Sequence, residues 1–76
     1  MVRGDITRAR ALYERATALR PNSSAALVAA GKTYDPNILP LFGGGSLADA
    51  AKAKERYERA RALGNTDAAA LLKPLQ

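Results

Sequence analysis

The sequence predicts an all-α protein in which four antiparallel helices stack as helical hairpins. The first observation is an internal repeat, because Tyr13-Glu14-Arg15-Ala16 recurs 44 residues later as Tyr57-Glu58-Arg59-Ala60. The second is that apolar residues recur at spacings of three and four, which is the period of a helix with one buried face. The third is that proline and glycine fall between these apolar segments, where helices end. Paired short helices that repeat in this way are typical of helical-repeat arrays.

The first helix is predicted over residues 5–20. Its buried face is marked by an apolar stripe that consists of Ile6, Ala9, Tyr13 and Ala16, flanked by Leu12 and Leu19. Pro21 ends the helix because proline forces the residue before it out of the helical conformation. Asn22 is a residue type that caps helices, and it is predicted to cap the next one.

The second helix is predicted to run to about Tyr34. Its inward residues are predicted to be Leu27, Ala30, Gly31 and Tyr34. Glycine costs about 1 kcal/mol relative to alanine inside a helix. We therefore interpret Gly31 as a point where a neighbouring helix comes close.

The next stretch, residues 35–46, is predicted to be an irregular loop because it contains two prolines and three consecutive glycines. Its apolar residues are Ile38, Leu39, Leu41 and Phe42. Such residues are unusual in a solvated loop. They either fold back over the core or form an exposed contact patch, and the sequence leaves both alternatives open.

The third helix repeats the first, and a shorter fourth helix follows. Ser46 and Asp49 have the spacing of a capping box, and the stripe that follows consists of Ala50, Ala53, Tyr57 and Ala60. The pair Gly64-Asn65 predicts a left-handed turn that closes the third helix. The fourth helix is predicted from Thr66 or Asp67 to Lys73, so the two copies span residues 5–34 and 49–73 as one domain.

Composition excludes several kinds of site. The chain has 76 residues, no cysteine, no histidine and a net charge of +5. Thiol nucleophiles, imidazole bases and Cys/His metal sites are therefore absent, and we predict no cofactor, no metal and no enzymatic activity. The sequence has neither the apolar run of a membrane span nor a signal peptide. Because repeat arrays need about three units to bury a continuous core, we expect the chain to be a piece of a larger protein or to self-associate.

Several spacings resemble known repeat families. Ala9, Tyr13, Ala16 and Pro21 fall at the spacing found in the second helix of a tetratricopeptide repeat, and Leu27, Ala30, Gly31 and Tyr34 at the spacing of its first helix. From Gly31 onward the chain is similar to the related Sel1-like repeat. The residues that match the Sel1-like pattern include Asp49, Ala53, Tyr57, Ala60, Gly64, Asn65 and Ala68. Leu12 and Arg56 stand where these families usually have an aromatic residue, and the apolar loop also departs from the pattern.

The resemblance implies a protein-interaction module that binds another protein or peptide. In these families the first helix of each hairpin lines a concave groove, and the positions that match are Ala25, Val28, Lys32, Ala69 and Leu72. The loop residues Ile38, Leu41 and Phe42 form a second candidate contact. The alternative is a basic surface that binds nucleic acid or an anionic component of the membrane or cell envelope. The basic residues of this surface are Arg8, Arg15, Lys52, Arg56 and Arg59. Aromatic residues do not interleave these basic positions, so nucleic acid is the less favoured partner.

Overall fold

The computed structural model describes the backbone of residues 3–76 and the side chains of residues 4–76. Within these residues the chain forms four α-helices: α1 (Arg3–Leu19), α2 (Ser24–Lys32), α3 (Ala50–Ala62) and α4 (Thr66–Leu72). Each helix packs on the next, and α2 and α3 share the most extensive contact. The shortest extent of the Cα trace is 16 Å, which corresponds to two helix layers about 8–10 Å apart. The predicted all-α class with four helices is confirmed.

Ser23 caps the start of α2. Its hydroxyl oxygen accepts a hydrogen bond from the backbone N–H of Ala26 at 3.2 Å. The prediction that Asn22 caps this helix is wrong. After Pro21 the chain makes a tight turn in which the N–H of Ser23 donates to the carbonyl of Arg20 at 3.0 Å, so the helix begins one residue later than predicted.

Asp49 caps the start of α3, where its carboxylate accepts from the N–H of Lys52 at 3.1 Å. The predicted capping box is wrong because Ser46 lies in a separate 3₁₀ helix, Gly45–Leu47. The N–H of Asp49 donates to the carbonyl of Tyr34 at 2.8 Å. This bond holds Asp49 in the extended conformation of a cap residue, which leaves the helix to begin after it.

The turn before α4 agrees with the prediction. Gly64 has a left-handed φ of +94°, and Asn65 caps the helix by accepting from the N–H of Ala68 at 2.9 Å. However, the caps Ser23 and Asn65 are 42 residues apart (65 − 23), not 44. The repeat offset of 44 therefore applies to α1 and α3, whereas α2 and α4 align at 42. The offset of 44 would also pair Ala25-Ala26-Leu27 with Ala69-Ala70-Leu71, and the positions of the caps show that this pairing is wrong.

The centre of the core is the ring of Tyr57, which is completely buried. A Cβ atom at Gly31 would lie only 2.5 Å from Cε1 of this ring, so the predicted close approach at Gly31 is confirmed. The core cluster around the ring consists of Leu27, Val28, Tyr34, Ala53, Ala60, Ala68 and Leu72. Because three of these seven residues are alanine, the ring fills space that larger aliphatic side chains fill in other cores.

The loop between α2 and α3 is not irregular, because it contains the 3₁₀ helix Leu39–Phe42 as well as the one at Gly45–Leu47. Leu39 is 2% exposed and packs inward, whereas Leu41 is 77% exposed. Gly44 lies against α1, where an added Cβ would be 2.2 Å from Cδ1 of Ile6. Folding back over the core is therefore observed for Leu39, whereas Leu41 is exposed to solvent.

We expect the substitution Gly31→Ala to lower the free energy of unfolding by about 1–3 kcal/mol, the usual cost of overpacking a core. The higher helix propensity of alanine, about 1 kcal/mol, offsets only part of this loss, because the Tyr57 ring must move. At Gly4 in α1, the equivalent Cβ position has none of the described atoms within 4 Å apart from those of its chain neighbours and its own helix backbone. Urea unfolding should therefore show Gly4→Ala to be neutral or stabilising, and equal effects at the two glycines would contradict the close contact.

Candidate functional site

An apolar groove of about 460 Å³ lies between α1 and α2. Its lining includes Ile6, Ala9, Tyr13, Ala25, Val28, Ala29, Lys32, Ile38, Leu39 and Phe42. A second concavity shares Tyr13, Ala25 and Ala29 with it and continues towards Leu19 and Arg20. The two together form one surface along both helices, which we call the α1–α2 groove. Its floor on α2 is a single helical face, because residues 25, 28, 29 and 32 are spaced at three and four.

The structure brings together five of the eight predicted contact residues. The five that line the groove are Ala25, Val28, Lys32, Ile38 and Phe42. Leu41 is exposed at the tip of the loop, outside the groove lining. Leu72 is buried in the core, and Ala69 is half-buried away from the groove.

Ala69 and Leu72 in α4 lie outside the groove because α4 aligns with α2 at an offset of 42 residues, and not at 44. The residue of α4 that corresponds to Ala25 is Asp67 (25 + 42), and Asp67 does line the groove. Asn65 lines it too, and its side-chain amide donates to the hydroxyl of Ser24 at 3.2 Å, which ties the start of α4 to the start of α2. The cap residues, had they been aligned with each other, would have identified Asp67 from the sequence.

The matching tyrosines of the repeat have different surroundings. Tyr57 is buried between α2 and α3, and its hydroxyl donates to Oδ2 of Asp35 at 2.7 Å. Tyr13, its counterpart in α1, is 41% exposed and its side chain lines the groove. The predictions that Tyr13, Leu12 and Leu19 belong to the buried side of α1 are wrong, because no described helix covers that side in the way that α2 covers α3.

A polar cluster that joins α1, α3 and the loop between α2 and α3 was not predicted from the sequence. It consists of Arg10, Glu14, Tyr34 and Arg56, and we call it the Tyr34 cluster. The guanidinium of Arg10 lies over the Tyr34 ring at 3.9 Å from the centroid, a cation–π distance. Arg56 binds Glu14 through two bonds, at 2.8 Å from Nε and 2.5 Å from Nη2, and the Tyr34 hydroxyl donates to the same carboxylate at 3.1 Å.

The cluster connects α1 to the loop and to α3. Arg10 donates to the carbonyl of Leu47 at 2.6 Å and also to the carbonyl of Thr33, so α1 holds both ends of the loop. The Nε atom of Arg10 is buried and has no partner among the described residues. The signal available in the sequence was the mismatch between Leu12 and Arg56 in the repeat. Arginine at that position supplies the fork that binds Glu14.

Hydrogen bonding and burial shift four pKa values in and near this cluster, and the hydrogen bond to Glu14 raises that of Arg56. The hydrogen bonds from Arg56 hold the pKa of Glu14 below its ordinary value, more than its partial burial raises it. Burial, and then the charge of Glu14, raises the pKa of Tyr34. Burial and the hydrogen bond to Asp35 raise the pKa of Tyr57. These groups stabilise one another across helices, which makes the cluster a structural element of the fold.

Some basic residues of the alternative anion-binding surface are already paired with carboxylates. Arg56 is paired with Glu14 and also with Glu55, and Arg59 pairs with Glu55 at 3.3 Å. Lys52 lies 5.6 Å from the centroid of the Tyr34 ring. Arg8 and Arg15 are exposed on α1.

Residues 3–76 contain no group of three or more Asp, Glu, His or Cys side chains that could hold a metal ion. None of the helices described has the length and apolar character needed to cross a membrane. Comparison of the chain with models of protein families, with curated proteins and with solved structures finds no match.

We expect Tyr57→Phe to destabilise the protein by about 1–3 kcal/mol, because it removes a hydrogen bond from Asp35, a carboxylate that is 1% exposed. The matched control is Tyr13→Phe, which should change the free energy of unfolding by less than about 0.5 kcal/mol at its exposed position. Thermal or urea unfolding of both variants measures the difference. Equal losses at the two tyrosines would contradict the distinct environments described above.

We also expect the contribution of Glu14 to stability to depend on pH. Its pKa is lower in the folded state than the ordinary 4.5, so its stabilising effect is fully present above about pH 5 and is lost as the pH falls through the folded-state value. The measurement is the difference in unfolding free energy between the natural protein and Glu14→Gln from pH 7 to pH 2.5. The difference should shrink at the acidic end, and a constant difference would contradict the paired carboxylate.

Proposed function

We propose that this chain is a protein-interaction module of tetratricopeptide or Sel1-like hairpins that binds a polypeptide in the α1–α2 groove and has no catalytic activity of its own. The observation that carries the proposal is the uncovered apolar groove itself. A chain with an alanine-rich core has little large apolar surface to spare. Nevertheless Tyr13 and Phe42 line an open groove and are 41% and 43% exposed, as expected of a contact surface.

The family assignment within this proposal is supported by the burial of the α2 and α3 residues that carry the resemblance, although Ala9, Tyr13 and Ala16 in α1 are not buried. Ala30, Gly31 and Tyr34 in and after α2 are buried, as are Ala53, Tyr57 and Ala60 in α3. These are the positions at which tetratricopeptide and Sel1-like repeats require small or aromatic residues for close helix packing. The long apolar loop remains a departure from the family pattern.

The shape and chemistry of the groove favour a polypeptide over a small molecule. It is lined by two helices and is open to solvent, whereas small-molecule sites are usually enclosed and have several converging polar groups. The charged side chains that line it are Lys32 and Arg20, which are positive, and Asp67, which is negative. A groove with an apolar floor and charges of both signs at its edge suits an amphipathic segment.

Site-specific photo-crosslinking tests this function in cells that express the protein. A photoreactive phenylalanine derivative at Ala25, exposed in the groove, should give a discrete polypeptide adduct. The same probe at Ala51, exposed on α3 and absent from the groove lining, is the matched control.

The adduct at Ala25 should be lost when Tyr13→Ser alters the groove, provided that circular dichroism shows this variant to be folded. Identical adducts from Ala25 and Ala51, or adducts at Ala25 that persist in the Tyr13→Ser variant, would contradict a specific groove. An adduct with nucleic acid in place of polypeptide would favour the basic-surface alternative instead.

A further inference from the structure

The internal repeat indicates what kind of segment fits the α1–α2 groove. The stripe Ala53, Tyr57 and Ala60 of α3 is covered by α2. At the offset of 44 the same stripe recurs in α1 as Ala9, Tyr13 and Ala16. All three residues of the α1 stripe line the two concavities of the groove. In α3, this stripe forms the face on which α2 packs. The groove therefore exposes the corresponding face of α1.

The contacts of α2 with Tyr57 define the chemistry of such a segment. Gly31 gives the ring room, since a Cβ there would be 2.5 Å from it. Four residues later, Asp35 accepts the tyrosine hydroxyl at 2.7 Å. In α1 the hydroxyl of Tyr13 has no hydrogen-bond partner among the described residues. A glycine and a carboxylate four residues apart are thus what Tyr13 lacks and Tyr57 has.

We propose that the α1–α2 groove binds a helix of another polypeptide that resembles α2, with a glycine against the Tyr13 ring and a carboxylate four residues later that accepts the Tyr13 hydroxyl. This inference rests on the proposed function and adds the chemistry of the partner. The partner helix also carries an apolar residue four positions before its glycine, as Leu27 precedes Gly31. It lies on α1 as α2 lies on α3.

A second copy of this chain is a poor source of that helix. Its α2 is already covered by its own α3. Its α4 aligns with α2 at the offset of 42, which places Lys73 where α2 has Gly31, followed by Pro74 (31 + 42 = 73). A lysine side chain at this position would overlap the tyrosine ring, so a second copy of this chain does not supply the helix.

The test uses a synthetic peptide with the sequence of residues 23–35, blocked at both ends, added to the full chain. Binding is measured by isothermal titration calorimetry and mapped by chemical-shift changes in an isotope-labelled protein. The expected changes are concentrated at Ala9, Tyr13, Ala16, Ala25 and Ala29. Because the peptide could also displace the chain's own α2 from α3, the dependence on Tyr13 is the decisive readout.

Three variants make the test specific. A peptide with leucine in place of the glycine that corresponds to Gly31 should bind at least tenfold more weakly. Tyr13→Ala in the protein should also weaken binding at least tenfold, and Tyr13→Phe, which removes only the hydroxyl, should weaken it severalfold. Leu41→Ser, at an exposed position outside the groove lining, is the matched control and should leave the Kd unchanged.

Absence of binding at millimolar peptide, or equal binding to the natural protein and to Tyr13→Ala, would overturn the inference. Sedimentation that shows a dimer dissolved by Tyr13→Ala would also overturn it, since the occupant would then be a second copy. If the peptide fails while the crosslink at Ala25 is specific, the proposed function stands and only the partner chemistry is wrong. If both fail, the groove is not a binding surface.

Discussion

The fold depends on the placement of one aromatic ring, that of Tyr57. The ring lies in α3, the glycine that makes room for it lies in α2, and the carboxylate that binds its hydroxyl lies just after α2 at Asp35. A tyrosine needs both an apolar cavity and a polar partner when it is buried. Gly31 in α2 provides the space and Asp35, just after α2, provides the polar partner. The ring therefore fixes the position of α3 along the axis of α2. The small residues Ala53 and Ala60 then bring the two helices close enough for dispersion contacts to accumulate.

A second, polar layer compensates for the thin core. Arg10 stacks on Tyr34, and Arg56 reaches Glu14, so charged side chains connect helices that have few direct backbone contacts. The flat guanidinium group can stack on a ring and donate along its edge at the same time, which an ammonium group cannot do. These contacts also pair positive charges with groups inside the protein. Composition alone would have suggested that such charges are available to bind an anion. Net charge therefore overstates how much positive surface the chain has available.

Much of the fold could be predicted from the sequence, for local reasons. Gly31, Tyr57 and the turn at Gly64 each follow from a steric rule that applies to a few neighbouring residues, and the structure agrees at all three. The environment of Tyr13 could not be predicted in this way, because burial depends on whether a neighbouring helix is present. A stripe of apolar residues shows that a helix face is suited to packing against another helix. It does not show whether such a helix is present.

The alignment of α2 with α4 could not be predicted from local rules either. Identical residues at an offset of 44 suggested one alignment, whereas the caps Ser23 and Asn65 set the alignment at 42. Alanine-rich segments match one another at several offsets, so the caps carry more positional information than the alanines do. The same register explains why Ala69 and Leu72 in α4 lie outside the groove, whereas Ala25, Val28 and Lys32 in α2 line it. The Tyr34 cluster joins residues up to 42 positions apart, a separation at which sequence spacing gives no guide.

The bonds from Arg10 to the carbonyls of Thr33 and Leu47 have a consequence for how this chain can change during evolution. Both ends of the loop are fixed to α1, so the path between them does not have to hold the helices in place. The free energy of closing a loop rises only with the logarithm of its length. Residues could therefore be inserted near Leu41 and Gly43, at the exposed tip, with little effect on the helices. The loop is where this fold can acquire new recognition properties while its scaffold stays constant.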